Sequence, residues 1–193
     1  MKYLQISFLV VLIVVVSAFS ADAGWLIYHE PELKGTILDI NTKQPLQDAV
    51  IVAVYWKSTI GLGAGSIDSI INVHETLTDK DGVFHIPSYT TIIQPFSWQI
   101  PNRIIIFKPG YASLQLDLWA SFTGSKSNEL TGHFPWNTQL EYRVAGHGIV
   151  ELPKLRSKED FIRRTLGFPT GYGAKSLPLL YRAYEEEKSL YQR

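Results

Sequence analysis

The chain has 193 residues with 18 basic and 18 acidic side chains, ten Tyr, five Trp and no cysteine. Balanced charge without a dense run of Lys or Arg gives no surface for a row of phosphates, so nucleic acid is not an expected partner. The missing thiols exclude disulfides, covalent haem, N-terminal Cys lipidation, thiolate metal sites and thiol catalysis, and leave packing alone to hold the fold.

At the N-terminus, Lys2 precedes an apolar run from Phe8 to Val16 and the small-residue pattern Ala21-Asp22-Ala23. This reads as a secretory signal peptide over residues 1–23, cut after Ala23. Its apolar stretch is about half of the roughly 20 residues a helix needs to span a bilayer, so an uncleaved anchor is the weaker reading, and after cleavage no membrane span is expected. A periplasmic or secreted location follows. The remaining residues suffice for one cored domain, expected over 24–155, and a tail over 156–193.

Short β-type runs broken by turn residues fill the region from Leu33 to Leu155. Leu33 to Ile40 predicts a strand, and Asn41 to Pro45 a turn. In Ala49 to Trp56 both alternating faces are apolar, which predicts a central strand. Gly61 to Ser66 reads as a flexible connection; its glycine spacing matches neither G-x-G-x-x-G nor a Walker sequence. A strand from Ile70 to Thr78 is then expected to enter a β-hairpin over Glu75 to Pro87, reversed at Asp79, Asp81 and Gly82, residues that tolerate a left-handed backbone. Such a hairpin sets Thr76 opposite His85, with His74 two residues along, so that the two imidazoles can approach. Arg103 to Phe107 predicts a buried strand, closed by Lys108-Pro109-Gly110-Tyr111, with a return strand from Tyr111 to Leu118.

From Trp119 to Gly148 the alternation fades into what reads as one long loop, and long loops on rigid scaffolds are where binding tends to sit. Trp119, Phe122, Phe134 and Trp136 can stack on sugar rings or grip a protein partner, and can equally plug the sandwich. His133 and His147 lie in the same insertion and are candidate participants in a site. Ile149 to Leu152 predicts a last strand. Beyond it the period becomes helical: Ser157 with Asp160 approximates a capping box, Ser176 can cap a second helix with Pro178 in its first turn, and Glu185-Glu186-Glu187 reads as a solvated face. The helical tail is expected to dock on the sandwich.

Four segments, Gly35 to Asp39, Pro45 to Val52, Thr78 to Phe84 and Lys108 to Tyr111, in this order resemble the carboxypeptidase regulatory-like domains, also called transthyretin-like or prealbumin-like. The likeness spans about residues 33 to 118. It implies a mainly β, seven-stranded Greek-key β-sandwich and no catalytic residues; Asp48 stands where such domains often carry Gly. The insertion at 119–148 and the helical C-terminal extension lie outside the shared pattern.

Catalytic alternatives find little purchase. Zinc carboxypeptidase chemistry needs an H-x-x-E-like pair and a distant His, and no H-x-x-E occurs. The adjacent pairs His29-Glu30 and His74-Glu75 point to opposite faces of a strand. The Tyr-Arg-Gly-Ser ending of the transthyretin-like 5-hydroxyisourate hydrolases is absent, as is G-x-S-x-G. Asp117, Glu129, Glu141 and Glu151 lack a context marking them as a glycosidase pair. The expectation is a non-catalytic exported module without cofactor or metal, acting as a scaffold or binding component of the cell envelope, with an envelope protein or glycan as partner. A carbohydrate-binding module using the insertion Trp residues, and a hydrolase or metal-dependent enzyme with its site in the insertion, stand as alternatives.

Overall fold

The computed structural model describes residues 26–61, 63, 65–116, 122, 130–163, 172–173 and 175–191. The expected signal peptide, and Trp119 with most of its neighbours, lie outside these.

The chain is a β-sandwich. One five-stranded sheet runs β4 (Ser66–Leu77), β3 (Val50–Ile60), β8 (Arg103–Phe107), β9 (Leu114–Leu116), with β7 (Ser97–Gln99) added against β3. The other runs β10 (Leu130–Phe134), β11 (Asn137–Ala145), β12 (Ile149–Leu152), β2 (Leu33–Asp39), β5 (Val83–Ile86). A two-stranded ribbon of β1 (Ile27–Glu30) and β6 (Tyr89–Ile92) completes twelve strands among the described residues. The pairings are antiparallel except β12 with β2. Among the described residues no helix is long and apolar enough to cross a membrane.

The doubly apolar stretch Val50 to Tyr55 is central, as its pattern predicts. Ile51, Ala53 and Tyr55 face inward and join Ile37, Phe84, Ile104, Ile106, Leu140 and Val150 between the sheets. Val50, Val52 and Val54 face outward, where with Ile105 and Phe107 they meet Leu177, Leu180 and Ala183 of the C-terminal helical segment. Each such side chain removed from water contributes about 1.5 to 3 kcal/mol, which is how a cysteine-free fold offsets chain ordering.

That segment is the tail expected to dock. Helix α1 (Lys158–Arg163) and helix α2 (Pro178–Tyr191) are joined by a stacked ring pair, Phe161 and Tyr191, with centroids 4.6 Å apart. Ser157 and Asp160 form the anticipated capping box on α1: the Asp160 amide donates to Ser157 Oγ at 3.2 Å, and Asp160 Oδ2 accepts the Ser157 amide at 3.2 Å. On α2 the expectation fails. Ser176 lies exposed in the preceding turn, and the amides of Leu179 and Leu180 donate instead to the Glu75 carboxylate on β4. Glu187, read as solvated, is fully buried and accepts the Gly110 amide at 2.9 Å. The helix is thus pinned to the sheet near both ends.

Two further expectations are corrected. Residues 75–87 are not a hairpin: β4 pairs with β3 and β5 with β2, so the chain crosses from one sheet to the other. Thr78 fixes the crossing, its hydroxyl accepting the Ala49 amide at 2.8 Å and donating to the Leu46 carbonyl at 2.5 Å. Leu77 therefore packs in the outer core and Phe84 in the inner one. The turn chemistry is as read, with Asp79 Oδ1 accepting the Asp81 and Val83 amides and Gly82 at φ 72°. Asp48 also adopts a left-handed conformation, at φ 56°.

The second correction concerns 119–148. Among its described residues, 130–145 are not loop but form the antiparallel pair β10 and β11, which extends the second sheet. The strands flanking the connection at Gly61 to Ser66 are longer than expected, since β3 runs on to Ile60 and β4 begins at Ser66.

Candidate functional site

The turn between β10 and β11 carries Trp136. Its ring leans on Phe134, centroids 5.3 Å apart, and Phe134 meets Tyr142 edge to face at 5.2 Å. Gly132 lies opposite Tyr142 in the register, where a Cβ would collide with the phenol ring. This aromatic row holds the indole half-buried at the rim of the sandwich.

Below the indole, Asn137 ties β11 to α1. Its Nδ2 donates to Asp160 Oδ1 at 2.6 Å, while Asp160 Oδ2 accepts the Arg156 amide at 2.9 Å. Burial alone would raise the Asp160 carboxyl, but these hydrogen bonds and those from Ser157 hold it below the ordinary carboxylate range. Asp160 is therefore an ionised, fully engaged strut rather than an acid or base.

Between these two walls lies a cleft of about 510 Å³, lined by Trp136, Asn137, Gln139, Arg156, Glu159 and Arg163 among others. A second hollow of about 340 Å³ shares Gln139 and Arg156 with it and continues past Asn41, Glu141 and Lys154. Together they form a groove with one broad apolar face and many hydrogen-bonding groups, suited to a ligand rich in hydroxyls and amides.

The candidate residues separate in the structure. Phe122 is buried against Phe84, centroids 5.7 Å apart, and Phe134 is 3% exposed, so both rings fill the core. Trp136 lines the cleft. His133 is exposed on β10 opposite Glu141. The side chain of His147 and the whole of Trp119 are outside the description. His74 and His85 sit on different sheets, which overturns their expected approach; His85 Nε2 lies 3.2 Å from Glu32. Glu151 is buried and paired with Lys43 at 2.7 Å. Among the described residues no three His, Asp or Glu side chains converge to hold a metal ion.

Sequence reasoning missed Asn137, Gln139, Arg156 and Arg163. The capping box marks Ser157 and Asp160, but nothing in the sequence sets α1 against the β10–β11 turn.

One buried carboxyl stands apart. Glu30, 4% exposed at the end of β1, faces the side-chain amides of Gln99 and Asn102, and burial pushes it up to about 7 against the pull of both amides. Asn102 Oδ1 in turn accepts the Tyr28 hydroxyl at 2.6 Å and the Trp56 amide at 2.9 Å. This cluster knits the β1–β6 ribbon to the sandwich.

Compared with known protein families, with curated proteins and with solved structures, the chain matches none.

Proposed function

We propose that this chain is an exported, non-catalytic β-sandwich module of the cell envelope, and that it holds a glycan in the cleft beside Trp136. The observation that carries the reading is the indole itself, fixed by Phe134 and Tyr142 at the edge of a cleft rich in amide, guanidinium and carboxylate groups. A rigid aromatic face costs little side-chain entropy on binding, and flanking polar groups satisfy hydroxyls that a purely apolar pocket would leave unpaired. The apolar run Phe8 to Val16 supports export. Resemblance to the carboxypeptidase regulatory-like domains, which serve as accessory modules, supports a binding rather than a catalytic role.

The test is calorimetric and fluorescence titration of the protein with soluble envelope glycans, beside Trp136→Ala. Binding by the native protein that weakens at least about tenfold in the variant is expected, on the scale of a lost interfacial aromatic. A flat response across the glycans, or equal binding by both proteins, would remove the reading.

A further inference from the structure

Ten large apolar side chains are exposed among the described residues, and six of them gather at one end of the sandwich: Ile27, Ile60, Ile67, Ile92, Phe96 and Trp98, from 43% exposed at Trp98 to 81% at Ile92. Their neighbourhood follows from the register. The Ile60 amide donates to the Phe96 carbonyl at 3.0 Å, Ile67 is paired across from Thr59, Trp98 across from Ser58, and Ile27 across from Ile92. Scattered exposed apolar residues need no explanation, but Ile60, Ile67, Phe96 and Trp98 meet at the Ile60 end of β3, with the Ile27–Ile92 pair only four residues before Phe96 along the chain, and such a grouping marks a contact surface.

Two features indicate that the outward pose is built in. Phe96 adopts φ 62°, a conformation that a bulky L-residue enters only at a cost, while its side chain is 70% exposed. The hairpin beside it is closed by the Gly61 amide on the Gly65 carbonyl at 2.9 Å.

We propose that this tip seats on a lipid bilayer, with Ile60, Ile67, Ile92, Phe96 and Trp98 entering the boundary between head groups and acyl chains. An exposed cap of Ile and Phe suits a deformable apolar medium. Trp98 has the apolar body and polar edge of an interfacial anchor, and Lys57, its Nζ 3.0 Å from Gln94 Oε1, flanks the cap where a snorkelling cation belongs. The chain's own layout agrees. The Leu26 carbonyl accepts the Ile93 amide at 2.8 Å, so the apolar run ending at Val16 joins the domain at this end through residues 17–25, which reach at most about 30 Å. A product cut after Ala23 keeps every residue of the tip. The Trp136 cleft lies at the opposite end, beside the hollow lined by Asn41 and Lys154, and β3, which runs from Val50 at that end to Ile60 at the tip, is itself roughly 33 Å long. A bilayer under the tip therefore leaves the cleft free, and this inference stands independently of the glycan.

The experiment uses the exported form beginning at Gly24, which contains all the contacts described above, with vesicles of phosphatidylethanolamine and phosphatidylglycerol. Co-sedimentation with the vesicles and quenching of Trp fluorescence by brominated acyl chains are expected. Ile92→Ser and Phe96→Asn should each lower partitioning roughly tenfold with thermal unfolding retained, while Leu190→Ser, on the far end of α2, should leave it unchanged. Native protein that stays unquenched in the supernatant overturns the proposal, as does an equal loss in Leu190→Ser. A dimer that forms without vesicles and dissociates in Ile92→Ser also overturns it, and names a second copy as the occupant.

Discussion

Glu75 caps a helix far along the chain: its Oε1 accepts the amide of Leu179, 104 residues away, at 2.6 Å and its Oε2 the Leu180 amide at 3.1 Å. These are the amides at the second and third positions of α2, the donors that a local N-cap side chain would satisfy, and the carboxylate also sits at the positive end of the helix dipole. Glu75→Ala should therefore cost about 1 to 2 kcal/mol of stability in a denaturant titration. Ser176→Ala, at the position a sequence reading would choose as the cap, should stay within about 0.5 kcal/mol of the native protein.

Gly82 supports a second expectation. Its φ of 72° already penalises any side chain by about 1 to 2 kcal/mol, and a Cβ there would lie 2.5 Å from the Ile37 carbonyl oxygen and 3.0 Å from Pro45 Cβ. The collision adds about 1 to 3 kcal/mol of overpacking, because Ile37 is held by its own bonds to Gly82 and Leu46. Gly82→Val should thus lose more than the backbone term alone, and Gly110→Ala, with φ 80° but open space around it, should lose only that term. Equal losses in urea denaturation would show that the crossing tolerates the extra atom.

How far these arrangements are legible in the sequence depends on the distance over which each is decided. Alternation in Val50 to Tyr55 is local and strong, so a strand buried on both faces can be read directly. The left-handed turns at Asp48 and Gly82 are local as well. The Glu75 cap cannot be read, because its partner lies 104 residues away and Ser176 offers a closer, misleading answer. The pair β10 and β11 hides because β10 is an edge strand whose Leu130, Thr131 and His133 face solvent, erasing the alternation that a half-buried strand would show. Of the cleft, the sequence shows Trp136 and the Ser157–Asp160 cap; their juxtaposition arises only when Asn137 reaches Asp160.

Glu30 makes stability depend on pH with a definite sign. Its carboxyl is raised from 4.5 in the unfolded chain to about 7 in the fold, chiefly by burial, so the folded protein binds the proton more tightly. The stabilising contribution is complete below pH 4.5 and is lost as pH rises through about 7. Thermal unfolding followed across this window should show the melting temperature falling toward alkaline pH. Glu30→Gln keeps the shape and the amide contacts without the titration, so its melting temperature should lose that slope. A slope that persists in the variant would assign the effect to another group.

Phe96 joins strain to exposure, and the two can be separated by substitution. Asn occupies the left-handed region more readily than Phe, because its short polar side chain can bond to nearby backbone. The φ of 62° costs Phe about 1 to 2 kcal/mol, and the side chain is 70% exposed. Phe96→Asn should therefore unfold at the same denaturant concentration as the native protein or at a higher one, a gain of up to about 1 kcal/mol. Ordinary removal of a large apolar side chain destabilises, so a loss of 2 kcal/mol or more, on the scale of a core truncation, would show that Phe96 is held by packing.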